Sequence, residues 1–229
     1  MGQSSRLMAD PLKAKLAASG LALFIILLFF PPLDRSGLSF STYHKNRPNP
    51  TPHAVGKATI PNLLHLVYIL PDPSADFSFE FKEYLSVYSA WHHWRPGKIL
   101  FHTNAHEDSI SRARNGTSGK WNHLIFNTPG LVTNPVTVPT HADNGVKIVN
   151  IEHKSDFVRV KAMQYFGGVY IDLDVYPLRD VKVLRESGFR AVAGRQSEGQ
   201  VNSGTFMAAR GSKLLPLFLT GMHDKYTGD

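Results

Sequence analysis

The sequence predicts an α/β domain with a mainly parallel central sheet, preceded by one transmembrane helix. Three observations lead there. From Ile60 onward, apolar β-rich runs alternate with segments of helical periodicity, the pattern of parallel strands joined by crossover helices. The stretch HKSDFVRVKAMQYFGGVYIDLDVY, His153 to Tyr176, compresses one such unit into helix, glycine break and strand. Leu16 to Leu33, LAASGLALFIILLFFPPL, carries no charge over a length that just spans a thin bilayer.

Taken in order, residues 1–15 are short and polar, with Arg6, Lys13 and Lys15. The lysines precede the apolar run at 16–33, whereas Asp34 and Arg35 cancel beyond it, so the N-terminus is expected to face the cytosol. The run reads as a signal-anchor and not a cleaved signal peptide, because no small-x-small site follows Phe30. Residues 34–59 are polar and proline-punctuated, with RPNPTP at 47–52; such a stretch buries no core and suits an extended stem. The folded domain is expected over 60–229. Asn62–Leu70 reads as a buried strand, and Phe77–Trp94 as a helix with Phe81, Leu85, Tyr88 and Trp91 on its apolar face, closed by Pro96-Gly97. Lys98–Thr103 is a second strand. Glu107–Val138 reads as irregular, with Leu124–Phe126 its one candidate strand, and Lys147–Ile151 is a further short apolar run. Ser155 is a candidate N-cap for a helix with Asp156 in its first turn, ended by Gly167-Gly168. VYIDLDV follows as a strand, then strands at Phe189–Ala193 and Thr205–Ala209, and a helix from Ser212 to Lys225.

The chemistry concentrates after the glycine break. On a strand, the period of two sends Tyr170, Asp172 and Asp174 to one side and Val169, Ile171, Leu173 and Val175 to the other. Two carboxylates roughly 7 Å apart on one strand face repel each other and resist losing water. A hard divalent cation relieves both problems, and a metal-bound diphosphate completes its shell. D-x-D alone is common, and most such pairs are solvated loop ends; the surroundings give this one weight. Asp156 and Arg159 lie three apart on one face of an otherwise apolar helix, where a charged pair needs a reason to persist. Tyr170 either packs beside a nucleotide or fills the core. Histidine offers no zinc site: His102 and His106 lack the H-E-x-x-H pattern, adjacent His92 and His93 diverge on a helix, and His65 reads as packed inside a strand. Trp91, Trp94 and Trp121 are either acceptor-sugar platforms or core.

S-D-x-x-R, the apolar helix, Y-x-x-G-G-x-Y-x-D-x-D-V and a later N-S-G-x-x-x-A resemble the DXD-containing sugar-binding region of glycosyltransferase family 32. The matching residues are Ser155, Asp156, Arg159, Tyr165, Gly167, Gly168, Tyr170, Asp172, Asp174, Val175, Asn202, Ser203 and Gly204. Ile60–Leu70 also resembles the family's first strand, which usually starts I-P-x-x-I-H. The family includes fungal α-mannosyltransferases and animal α-galactosyl- and α-N-acetylglucosaminyltransferases. The resemblance implies a GT-A-like nucleotide-sugar-binding domain that transfers a hexose from a UDP- or GDP-sugar to a glycan or glycolipid with retention of configuration. It implies Mn²⁺ (or Mg²⁺) held by Asp172 and Asp174, Asp156 and Arg159 as catalytic residues, and Tyr170, Asp172, Asn202 and Ser203 as donor-binding residues. With the apolar run, it implies a single-pass type II protein of the Golgi or ER membrane with a lumenal catalytic domain. Members of the family generally continue well past the point matching Asp229, so residues 60–229 are expected to be an incomplete domain.

Composition narrows the alternatives. At 229 residues, one domain with appendages is the natural expectation. The net charge of +7 comes from scattered Lys and Arg with no basic helix, which argues against nucleic acid and for general attraction to anionic partners. The absence of cysteine excludes disulfides and thiolate chemistry. Asn115-Gly116-Thr117 is a glycosylation sequon. Two rival functions stand beside the transferase. One is a phosphatase of the haloacid dehalogenase type, with Asp172 as nucleophile and Asp174 as general acid. The other is an inactive membrane-anchored relic.

Overall fold

The computed structural model describes residues 59–196 and 199–228. The expected cytosolic tail, apolar run and stem lie outside the described residues. Among the described residues, no helix is long and apolar enough to cross a membrane.

The strands are β1 (Leu63–Val67), β2 (Lys98–Thr103), β3 (Leu131–Pro135), β4 (Gly168–Ile171), β5 (Ala191–Arg195) and β6 (Val201–Ala208). They form one sheet in the order β3-β2-β1-β4-β6-β5. The first four in that order are parallel, while β6 runs antiparallel to both β4 and β5. The architecture is therefore mixed α/β around a central, mainly parallel sheet. Alternation along the strands divides the core. Leu64, Leu66, Ile99, Phe101, Val169 and Ile171 face the helices α1 (Phe81–Trp94), α2 (Glu107–Asn115) and α3 (Lys120–Phe126). Val67, Tyr170 and Phe206 face α4 (Ile151–Phe166) and, after the short α5 (Lys182–Arg185), α6 (Leu214–Lys225).

Helix α1 begins with a capping box, in which the Glu80 amide donates to Glu83 Oε2 at 2.8 Å. Its buried face is Ser86, Val87, Ala90 and Trp94, not the expected row of Phe81, Leu85 and Tyr88, which are exposed. The reason is steric: small side chains let the helix approach closely, so the Ser86 hydroxyl donates to the Val175 carbonyl at 2.6 Å. The displaced aromatics stack outside instead. Trp121 lies 5.4 Å from Phe81 and 5.6 Å from Tyr84, and Tyr88 continues the row to Trp91 at 5.8 Å.

Other expectations shift at element ends. Glu107–Val138 is not irregular: it holds α2, α3 and β3, and Leu124–Phe126 closes α3 instead of forming a strand. Lys147 makes only an isolated bridge to His141, and Ile151 already opens α4. The N-cap of that helix is Asn150; Ser155 lies inside, its hydroxyl donating to the Ile151 carbonyl at 3.1 Å. At the far end Gly167 and Gly168 have φ of 65° and 123°. A Cβ on Gly167 would sit 2.5 Å from the Arg210 amide nitrogen, and one on Gly168 would sit 2.6 Å from the Leu63 carbonyl oxygen. Only glycine lets α4 hand over to β4 in that space.

Candidate active site

The strand order sets the place. From β1 the chain moves outward to β2 and β3, then returns to lay β4 on the other side of β1. The carboxyl ends of β1 and β4 thus part at a topological switch point, where open α/β sheets bind ligands. Asp172 is the first residue beyond β4.

The strand does not continue through VYIDLDV. The Asp172 amide donates to the Gly204 carbonyl at 2.8 Å, and the Val175 amide donates back to the Asp172 carbonyl at 3.1 Å, closing a tight turn over Leu173 and Asp174. The two carboxylates therefore do not share a strand face. Asp172 is half-buried beneath the turn, whereas Asp174 is exposed on it. They remain close enough for the Asp174 charge to push the Asp172 carboxyl upward in pKa.

Asp172 belongs to a compact charged cluster. The Tyr170 hydroxyl donates to Asp172 Oδ1 at 2.5 Å, and Arg159 Nη1 lies 3.2 Å from the same oxygen. Arg159 reaches Asp156 Oδ1 through Nη2 at 2.5 Å and donates to the Ser203 carbonyl at 3.1 Å. Its guanidinium carbon stands 4.8 Å from the centre of the Tyr170 ring. At 8% exposure this cation is nearly buried, and two carboxylates balance it; among the described residues its Nε has no partner. Loss of solvent is the main influence on both acids. It raises the Asp172 and Asp156 carboxyls above the ordinary range, while Arg159 pulls them back down. Burial also raises Tyr170 well above its usual value, which keeps it protonated as the donor to Asp172.

Helix α4 and strand β4 thus bring Asp156, Arg159, Tyr170 and Asp172 together, with Ser203 joining from β6. Their placement departs from expectation in three ways. Tyr170 is 1% exposed and lies under Asp172, so it orients a carboxylate and has no open face for a nucleotide. Ser203 contributes its carbonyl, and Asn202 accepts the Gly204 amide at 2.5 Å. Arg159 spends its Nη1 and Nη2 donors inside the cluster. Two contributors had no assigned role in the sequence. Ser86 braces the turn from α1, and Gly204 backs Asp172 so closely that a Cβ there would meet Asp172 Oδ2 at 2.6 Å. Gly204 was visible within N-S-G; nothing in the sequence marked Ser86.

The donor set suits a hard cation in one respect. Asp174 presents an open carboxylate at the switch point, and Asp172 lies behind it with its oxygens engaged. Among the described residues no third acid or histidine joins them. Asp156 opens onto a cleft of about 220 Å³ lined also by His153, Phe157, Met222, Lys225 and Tyr226.

Comparison with known proteins concerns the same part of the chain. Residues 85–189 match the family described as glycosyltransferase sugar-binding region containing DXD motif. The chain is 30% identical over 120 residues to Glucan organizing enzyme 1 of Cryptococcus neoformans var. grubii, an alignment covering 51% of this chain and 29% of that protein. The chain therefore spans less than a third of that relative. Among solved structures, the PaToxG glycosyltransferase superposes with a TM-score of 0.51 at 12% identity, over 73% of this chain and 62% of the other; that likeness concerns the fold. Over residues 85–189, which include the glycine break and the Asp172–Asp174 turn, the chain is thus similar to DXD-containing glycosyltransferases.

Proposed function

We propose that the chain is a metal-dependent glycosyltransferase of GT-A type, moving a hexose from a UDP- or GDP-sugar to a glycan or glycolipid acceptor with retention of configuration. The observation that carries the reading is the pairing at the switch point of an open Asp174 with a half-buried, oriented Asp172–Arg159–Asp156 cluster. A divalent cation, Mn²⁺ or Mg²⁺, held at Asp174 would supply Lewis-acid stabilisation to the diphosphate that leaves as the sugar–phosphate bond breaks. Tyr170 and Arg159 fix the Asp172 carboxylate toward that position, so that it needs little reorganisation there. Arg159 occupies one oxygen of Asp156, and the other, engaged by none of the described residues, would accept a hydroxyl of the donor sugar in the adjoining cleft. Arg159 thus serves as the countercharge that keeps two acids ionised beside an anionic substrate.

The acceptor fits the aromatic row of α1. Phe81 and Tyr88 are exposed rings of the kind on which pyranose rings stack, while the Trp91 and Trp121 rings carry Arg95 and Lys120 over them, and Trp94 is core and donates its Nε1 proton to the Arg179 carbonyl. Helix α1 reaches the site itself, since the Ser86 hydroxyl donates to the Val175 carbonyl at the end of the Asp172–Asp174 turn. The name of the Cryptococcus relative favours a polysaccharide acceptor. The apolar run at 16–33 favours a type II protein of the Golgi or ER membrane, with this domain in the lumen. The phosphatase reading gains no support, since Tyr170 and Arg159 engage the Asp172 oxygens that would have to attack phosphorus.

Calorimetry with a panel of sugar nucleotides tests the reading. Asp174→Ala is expected to abolish Mn²⁺-dependent binding while thermal stability stays within about 0.5 kcal/mol, as for an exposed side chain away from the core. Unchanged Mn²⁺-dependent affinity would overturn the assignment, and binding without transfer or donor hydrolysis would identify an inactive relic.

A further inference from the structure

Two histidines buried in the sheet make a chain of hydrogen bonds that the proposed chemistry does not use. His65 on β1 and His102 on β2 are both fully buried. His65 Nε2 lies 2.8 Å from the Gly167 carbonyl oxygen, His65 Nδ1 lies 2.9 Å from His102 Nε2, and His102 Nδ1 lies 2.9 Å from Asn134 Nδ2. A carbonyl only accepts, so His65 Nε2 carries a hydrogen. With the ring neutral, its Nδ1 is bare and accepts from His102 Nε2. His102 Nδ1 is then bare in turn and accepts from the Asn134 amide. One proton per ring satisfies every member, and all the donors point toward Gly167. Burial lowers the affinity of both rings for a second proton, to about 4 for His65 and about 3 for His102.

The chain crosses the sheet diagonally, because His65 stands opposite Leu100 and His102 opposite Val67, two residues further along. His102 stands opposite Asn134 in the β2–β3 register, and His65 stands opposite Tyr170 in the β1–β4 register. The two rings are coplanar within 3°. The missing Cβ of Gly168 makes the room, since one placed there would lie 2.9 Å from His65 Nε2.

We infer that His65 is a positioning residue for the candidate site: with His102 and Asn134 it forms a neutral, one-directional strut that fixes the glycine break from which β4, Tyr170 and the Asp172–Asp174 turn project. The inference rests on that turn being the metal and donor site. Gly167 joins α4, which carries Asp156 and Arg159, to β4, which carries Tyr170 and leads into Asp172. A bond at this joint sets the two halves of the cluster against each other, at the far end of a short strand from the carboxylates themselves.

The test compares His65→Leu, which fills similar space without donor or acceptor, with His65→Gln, which can offer both. Residue-level amide hydrogen exchange is measured on the full chain without ligand, together with Mn²⁺-dependent sugar-nucleotide binding. In His65→Leu the amides from Val169 to Asp172 are expected to exchange about tenfold faster relative to those of β2 and β3, as selective local opening requires. Affinity falls in the same variant, and His65→Gln restores both. Acceleration spread evenly over the sheet, or none at β4, would show a histidine that serves only overall stability and would overturn the inference. Should His65→Leu not fold, imidazole ¹⁵N spectra of the unmodified protein decide. Two neutral rings, each protonated at Nε2 and coupled through the His102–His65 hydrogen bond, support the strut, and any other tautomer pair overturns it. Exchange is read without ligand. A wild-type chain that binds no sugar nucleotide therefore refutes the transferase reading separately from the strut.

Discussion

At the scale of single residues, Gly204 gives the sharpest test of how the site is set. Asp172 has no slack: Tyr170 and Arg159 hold one side of its carboxylate, and the α-carbon of Gly204 closes the other. A methyl group at residue 204 would stand 2.6 Å from Asp172 Oδ2 and 2.9 Å from Asn202 Oδ1, both ends of side chains and not backbone. The fold can therefore accommodate it by moving those ends, but the orientation of Asp172 cannot survive the move. Gly204→Ala is expected to cost about 1 kcal/mol of stability, at the low end for overpacking, and to reduce Mn²⁺-dependent donor binding at least tenfold. Urea unfolding and calorimetry on the same sample check the split. A variant that unfolds more easily but binds as before would mean that Asp172 need not be held where it is. The charged members of this cluster were picked out by S-D-x-x-R and D-x-D together with the family resemblance those motifs carry, and not by D-x-D on its own. What spacing did not show was that Arg159 turns inward, since that depends on β6 bringing the Ser203 carbonyl across from a distant part of the chain.

At the scale of elements, the helix–glycine–strand unit was legible and its boundaries were not. Gly167-Gly168 announced the break, since no other residue pair tolerates two successive positive φ values at such close quarters. The end of β4 was misjudged because alternation runs on through Val175, whereas the Gly204 carbonyl captures the Asp172 amide and turns the chain. In α1 the periodicity was right and the face wrong. Four aromatic or aliphatic residues outweigh Ser86, Val87 and Ala90 in hydrophobicity, but close approach to the Asp172–Val175 turn selects the small ones. The two glycines can be tested directly. Gly168→Ala adds a Cβ 2.6 Å from the Leu63 carbonyl and 2.9 Å from His65 Nε2, at a φ of 123° that side chains avoid. Backbone strain and overpacking together are expected to cost roughly 2–5 kcal/mol, visible as a lowered denaturant midpoint. Gly188→Ala is a control for the dihedral alone: its φ is 88° and its Cβ would meet nothing within 4 Å. It is expected to cost about 1 kcal/mol. Equal losses at the two positions would mean that the space around the break is not tight.

At the scale of the whole molecule, alternating strands and helices predicted the parallel sheet, but not its order or its antiparallel edge of β6 and β5. Order depends on which side of β1 the returning chain takes, and no local pattern encodes that. It is the order that creates the switch point and that puts His65, His102 and Asn134 on three neighbouring strands, with the two histidines offset by two residues in register. This arrangement has a consequence for acid stability. In the unfolded chain both histidines titrate near their ordinary 6.5, whereas in the fold they resist protonation down to about 4 and about 3. Between those limits the unfolded state binds more protons than the folded state, so stability falls as pH falls. It is complete above about pH 6.5, declines by about 1 kcal/mol per pH unit for each histidine on acidification, and flattens once the folded rings themselves titrate. Asp156 and Asp172 work in the opposite direction. Burial raises their carboxyls, so their protonation on acidification favours the fold and opposes the loss from the histidines. Urea midpoints measured from pH 8 to pH 5 should therefore hold level at first and then drop, with the slope of each transition unchanged. His102→Gln, which removes one titrating ring and can still donate to His65 Nδ1, should roughly halve that drop. A midpoint independent of pH across this range would mean that the two rings are not held neutral in the fold, and the donor direction deduced for the chain would fail with it.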